Sequence, residues 1–215
     1  MPVLLYHKVQ DVPGEIAPAA FREQIAALHA EGWRTITMTA LLEAFARGDV
    51  PEHTVAINVD DGLRDVVRTI VPALQAVGYA ATVYAVPGRV GNGLHMTWQE
   101  LAEVQAAGME VGNHTMDHLD LVTLPTDQVG WQIREADRLL RSELPVPPAT
   151  IAFPFGSSDE RALRVVRELG YRLARVTKLG CAAPRDDPLR VPIVMSVKDG
   201  DSTAAVLRAV RRCER

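Results

Sequence analysis

Short apolar, β-branched runs alternate along the chain with stretches whose apolar positions recur every three or four residues. Val3–Tyr6 reads as a first strand, and Phe21, Ile25 and Leu28 follow at helical spacing until Gly32 ends the pattern. Residues 35–37 form a short extended piece, and Thr39 is placed to cap a helix carrying Leu41, Leu42 and Phe45. Thr54–Val59 is a strand that stops at Asp60-Asp61-Gly62; Val66, Val67, Ile70 and Leu74 outline the helix behind it. Residues 81–86 are the next strand, followed by Pro87-Gly88 and the loop Gly91-Asn92-Gly93. Thr97 opens a helix through Leu101 and Val104, Gly108 closes it, and Glu110–Asn113 is extended. The longest helix spans 127–144, after which Pro145, Pro147 and Pro148 break the chain. A strand at 150–153 runs into Pro154-Phe155-Gly156, and a helix follows over 159–169. Extended pieces at 172–176 and 190–193 precede a last helix after Asp201. This rhythm predicts an α/β fold, a distorted parallel (β/α) barrel of about seven strands, with a doubly wound open sheet as the alternative. No repeat or linker interrupts it, and residues 1–215 are expected to form a single domain.

Composition narrows the partners. A chain of 215 residues, 47% apolar, can bury a sizeable core. Its net charge of -4 offers no general attraction to nucleic acid or to an anionic membrane surface. The apolar runs are far too short to span a bilayer, and no leader is legible at the N-terminus, so the expected location is the cytoplasm. Cys181 and Cys213 are read as two free thiols, and Arg208, Arg211, Arg212 and Arg215 as a solvated helix face.

Candidate chemistry sits behind three predicted strands, where β/α folds place their active sites. Asp60 and Asp61 are adjacent carboxylates that repel each other unless a cation lies nearby; one could bind a metal while its neighbour stays free as a base. Taken alone they read rather as an Asp-Gly turn with a solvated helix cap. His114 and His118 are spaced four apart, on one side of a helical turn, close enough to share a cation. One carboxylate with two imidazoles leaves open positions on a catalytic divalent metal, so Asp61, His114 and His118 form the candidate set. The third cluster, 152–156, is a strand entering a turn whose backbone N–H near Phe155 could face a developing oxyanion.

In order and spelling these clusters resemble the polysaccharide deacetylases, carbohydrate esterase family four. The family's Thr-Phe-Asp-Asp-Gly is matched by Asn58-Val59-Asp60-Asp61-Gly62, its His-Ser/Thr-x-x-His by residues 114–118, and its Pro-Tyr/Phe-Gly by Pro154-Phe155-Gly156. The resemblance implies a metal-dependent hydrolase, zinc being the default ion, that removes acetyl groups from N-acetylated sugars. N-acetylglucosamine in an oligo- or polysaccharide is the expected substrate. It implies Asp60 as catalytic base, Asp61, His114 and His118 as metal ligands, the Phe155 N–H as oxyanion donor and Pro154 in the substrate pocket. Hydrolysis of another C–N bond or an O-acetyl ester on a small metabolite is a second reading; a non-catalytic carbohydrate-binding relative is a third.

Three departures matter. Ala152 stands where the family has an arginine that orients the base, the family's fourth motif with its Asp and Trp has no convincing match, and no histidine follows His118 to serve as the C-terminal acid. The N-terminal Leu5-Tyr6-His7, however, matches the family's last motif, Leu-x-His. The first and last strands of a closed barrel are neighbours, so a circularly permuted chain would carry that motif at its start. The chain is similar to permuted deacetylases of poly-N-acetylglucosamine, which implies His7 as the acid and Leu5 near the acetyl methyl.

Overall fold

The sheet's register explains how so short a chain closes on itself. The computed structural model describes every residue except Val50 and Arg215. Its strands are β1 (Val3–Tyr6), β2 (Arg34–Ile36), β3 (Thr54–Val59), β4 (Thr82–Ala85), β5 (Glu110–Asn113), β6 (Thr150–Ala152), β7 (Leu173–Leu179), β8 (Val191–Ile193) and β9 (Met195–Ser196). The order is β8-β7-β6-β5-β4-β3-β1-β9, all parallel, with β2 beside the start of β3. β8 and β9 are two pieces of one segment parted by Val194: the first pairs with β7, the second with β1. Pro192 supplies no N–H to the ladder, and the Val194 N–H goes to Val3 O at 2.8 Å, so the segment changes partner midway. Both ends of the sheet thus reach the same stretch of chain, and the sheet is a nearly closed barrel. Counting that split segment once, seven strands surround it and β2 flanks them.

Strand alternation divides the core in two. Leu4, Tyr6, Val55, Ile57 and Val59 face outward, against α1 (Pro18–Ala30), α3 (Val71–Gln75) and α4 (Trp98–Ala106). On the other side Ile151, Phe153, Ala174 and Val176 meet α5 (Thr126–Glu143) and α6 (Glu160–Glu168). Each such aliphatic or aromatic side chain contributes roughly 1.5–3 kcal/mol on burial. Val3, Leu5, Ala56, Tyr84, Ala152 and Leu173 face inward, with Met38 and Leu41 of α2 (Met38–Ala46) packed below them. The α2 start is tied to the strand beginnings, the Met38 N–H donating to Thr82 Oγ1 and the Thr39 N–H and hydroxyl to Glu110. The helix therefore plugs the lower mouth and leaves the C-terminal mouth for chemistry.

Three expectations need correction. The cap of α2 is Thr37, whose hydroxyl accepts from the Ala40 N–H, because Thr39 is already engaged by Glu110. The cysteines are not free: Cys181, just beyond β7, is bonded to Cys213, which follows the last helix, α7 (Thr203–Arg211). Their separation of 32 residues in sequence hid a Cα–Cα distance of 5.5 Å. The helix expected from Val66 onward begins as a π-helical turn, Val66–Ile70, before α3. Arg208, Arg211 and Arg212 are exposed, and Arg215 of that set lies outside the described residues. Among the described residues no helix is long and apolar enough to cross a membrane.

Candidate active site

All three motifs leave their strands at the upper mouth through turns that L-residues rarely adopt. Asp60 extends the ladder of β3, its N–H donating to Tyr6 O at 3.0 Å. Asp61 and Gly62 then take φ values of 73° and 67°. A Cβ on Gly62 would lie 3.2 Å from the Ala85 Cα, so glycine is needed on both counts. The Gly-rich loop lies over this turn, with the Met96 N–H donating to Gly62 O and His95 bridged to Leu63.

His114 likewise extends β5, its N–H donating to Ala85 O at 2.9 Å. The segment to His118 is not the helical turn its spacing suggested. Thr115 and His118 have φ of 65° and 59°, so the chain forms an irregular loop that returns the second imidazole toward the first. Polar contacts hold it: the Thr115 N–H donates to Asn113 Oδ1, Gln132 pairs with Asp117, and the Gly88 N–H donates to Met116 O. The two rings meet edge to face, centroids 4.8 Å apart. Beyond β6, Phe155 has φ 57° and its exposed ring packs edge-on against His118. The turn's hydrogen bonds run from the Gly156 N–H to Phe153 O and from the Ser157 N–H to Pro154 O. Neither engages the Phe155 N–H.

These turns bring five sequence-picked side chains together. His118 Nε2 lies 3.3 Å and His114 Nε2 3.8 Å from Asp61 Oδ1, and the three groups can present ligand atoms within 4.8 Å of one another. His114 Nδ1 is tied to Ala152 O at 2.8 Å, which directs Nε2 toward the carboxylates. Asp61 Oδ1 is buried without a hydrogen-bond partner, an acceptor that a cation would satisfy. The donor set therefore fits a divalent metal. Asp60 Oδ2 sits 3.6 Å from His114 Nε2, and His7 Nε2 sits 3.9 Å from the same oxygen. His7 thus lies at the same mouth as His114, half-exposed, with Leu5 one inward position below it. Pro154 is buried at the start of the Phe155 turn.

The site also contains a residue that sequence reading missed. Arg175 on β7 is wholly buried, and its Nη2 donates to Asp60 Oδ2. Burial works to raise the Asp60 carboxyl, but Arg175, with His114 and His7 beside it, outweighs that and holds it below its ordinary range. The His114 ring is pushed down, chiefly by burial. A lone arginine inside the apolar run Leu173-Ala174-Arg175-Val176 was the available signal: a buried guanidinium needs an anion.

A parallel barrel with carboxylates and imidazoles gathered at its C-terminal mouth has the makings of a hydrolase centre. The chain belongs to the polysaccharide deacetylase family, whose model matches residues 47–174. It is 27% identical over 207 residues to the Bacillus subtilis (strain 168) protein YxkH, covering 95% of this chain and 74% of that one. It is 26% identical over 227 residues to the poly-beta-1,6-N-acetyl-D-glucosamine N-deacetylase of Escherichia coli (strain K12), covering 82% of this chain but 34% of that enzyme. In fold it is similar to the Streptococcus pyogenes deacetylase PplD, with a TM-score of 0.91, 22% identity and 97% of each chain covered.

Proposed function

We propose that this chain is a divalent-metal-dependent N-deacetylase whose substrate is N-acetylglucosamine within an oligo- or polysaccharide. The carrying observation is the division of labour at one mouth: Asp61, His114 and His118 converge, while Asp60 is turned to a guanidinium. Family membership and the similarity to an enzyme named for poly-N-acetylglucosamine support the substrate class.

Asp61, His114 and His118 would hold the ion, with zinc the one we assign to such a set. When bound, it supplies Lewis-acid polarisation of the acetyl carbonyl and lowers the pKa of water at the site. Asp60, kept ionised at neutral pH, takes the proton from the attacking water. The Phe155 N–H donates to the oxygen that gains charge as the new C–O bond forms. His7 in its protonated form gives its proton to the departing nitrogen as the C–N bond breaks, and acetate and a free amine leave. Leu5 lies toward the acetyl methyl, and Pro154 belongs to the substrate pocket. The position of β1 between β3 and β9 supports the permuted order, because it sets His7 beside Asp60 from the first strand.

Acetate release from N-acetylglucosamine oligomers, read together with metal content, tests the reading. His114→Ala should lose the metal and the activity. Asp60→Asn should keep the metal and lose at least about 10²-fold in turnover, the low end for acid–base catalysis. Retained metal in His114→Ala, or retained turnover in Asp60→Asn, would overturn it.

A further inference from the structure

We propose that a cationic groove, running from the mouth along the barrel's closing seam, binds an acidic stretch of the glycan whose acetylated sugar occupies the site. The inference rests on the reading of the chain as an N-deacetylase of N-acetylglucosamine in a polymer, and it deepens that reading by making the polymer anionic.

The groove follows from how the barrel closes. A β/α barrel normally covers its strands with the helices that follow them. Here β7 and β8 are joined by residues 180–190, whose only helical piece is the 3₁₀ turn Pro188–Arg190. The outer side of the seam is shielded only in part, by α7, which packs on α1. Ala205 and Ala209 are the small α7 side chains beside it, and they leave a hollow of about 690 Å³ over Val194 and Met195.

Charge is sorted along this path. Lys198, Arg208 and Arg212 line the groove, and among the described residues no carboxylate does, although the chain as a whole carries -4. All three cations are exposed. Arg208 and Arg212 stand four apart, on one side of α7. Arg212 Nη2 also donates to Val194 O at 3.2 Å, which holds it to the seam, whereas Arg211 pairs with Glu31. A smaller hollow beside His7 shares Ser196 and Lys198 with the groove, so the two are continuous. That hollow does hold acids, Asp199 and a Glu15 paired with Lys8 at 3.0 Å. The cationic excess thus begins where the path leaves the mouth.

An acidic glycan strand suits this shape and charge. Guanidinium groups match the oxygens of carboxylates and phosphates, and the apolar floor matches the C–H faces of sugar rings. A bilayer would meet the exposed Leu179 but not Val194 and Ala209, which are 3% and 5% exposed.

Fluorescence anisotropy with two end-labelled oligosaccharides of equal length supplies the test. One alternates N-acetylglucosamine with glucuronate; the other is N-acetylglucosamine throughout. At low salt the parent should bind the acidic oligomer at least about 5-fold more tightly, and the advantage should shrink as salt screens it. Lys198→Glu with Arg208→Glu should abolish that advantage. The charge-matched pair Arg47→Glu with Arg68→Glu, exposed and outside the groove, should keep it. If the first pair does not fold by circular dichroism, Lys198→Gln with Arg208→Gln replaces it and the same outcomes decide. Equal binding of both oligomers by the parent overturns the inference, as does an acidic preference that survives the groove substitutions. Phosphatidylglycerol vesicles bound through Lys198 and Arg208, with no preference for the acidic oligomer, would give the groove to a membrane and overturn it too. Acetate release from the neutral oligomer beside any of these failures leaves the deacetylase reading standing. No acetate release from either oligomer sinks that reading, and the inference with it.

Discussion

His7 and His114 are both imidazoles near Asp60 Oδ2, yet their surroundings differ, and so do the duties proposed for them. His7 is half-exposed at the end of β1, where the proposed acid would face solvent and a leaving group. Its removal should matter in proportion to how badly the leaving group needs a proton. His7→Ala should lose at least about 10²-fold on an N-acetyl sugar, but far less on a nitrophenyl acetate whose leaving group departs as an anion. Equal losses on both substrates would remove His7 from the acid role. His114 is buried, and its folded-state pKa lies below the unfolded value of 6.5 because burial disfavours the charged ring. The sign follows directly: below that value the unfolded chain binds more protons, so stability falls as pH falls. Burial shifts His95 in the same direction. The metal-free protein should lose Tm on going from about pH 7 to about pH 5, and His114→Gln should flatten that slope. Asp60 adds a second loss only at more acidic pH, as its lowered carboxyl is finally protonated.

At the scale of elements, the chemistry is carried by turns, and the turns are strained. Asp61, Thr115, His118 and Phe155 all hold positive φ, each costing on the order of 1–3 kcal/mol. The strands beneath supply the rigidity that keeps them there, through ladders that run on into Asp60 and His114. Glycine appears where even that support would fail. Gly156 has φ 72°, and a Cβ there would strike the Thr177 side chain and lie 2.5 Å from its amide nitrogen. Gly156→Ala should therefore cost more than about 2 kcal/mol, beyond the usual range for a glycine replaced without conflict. A urea denaturation midpoint equal to that of the parent would contradict the clash. The motif spellings Asp60-Asp61-Gly62 and Pro154-Phe155-Gly156 made these turns visible in sequence, since glycine after a strand marks a reversal. The spacing of His114 and His118 misled, because four residues apart suits a helix as readily as a loop with two left-handed residues.

For the whole molecule, the barrel is fastened where its ends meet. The Cys181–Cys213 bridge ties the stretch beyond β7 to the end of α7 and encloses 32 residues of sequence separation. Chain entropy gives such a loop about 3–4 kcal/mol of stabilisation. Reduction, or Cys181→Ser with Cys213→Ser, should lower Tm by several degrees while leaving metal uptake at the candidate site, which neither cysteine belongs to, unchanged. An unchanged Tm would show that the bridge constrains nothing. The bridge also bears on location, because such bonds persist in oxidising compartments. Alkylation of the protein as made in its own cells should find both cysteines blocked; two labelled thiols would instead favour the cytoplasm expected from the sequence.

Apolar periodicity along the chain was enough to lay out the alternation of strands and helices, because it follows from which face each element buries. The metal and base candidates were legible as well, because Asp60, Asp61, His114 and His118 are spelled in local motifs whose chemistry does not depend on distant residues. His7 was legible for the same reason, as a Leu-x-His at the end of an apolar strand. Whatever depends on register and closure became visible only in the folded chain. Arg175 reaches Asp60 across 115 positions because the closed sheet brings the inward faces of β7 and β3 to one mouth. The cysteine pair, the strand that changes partner at Val194 and the loop that folds His118 back on His114 were hidden likewise. Each rests on contacts between segments whose separation in space the order of residues does not encode.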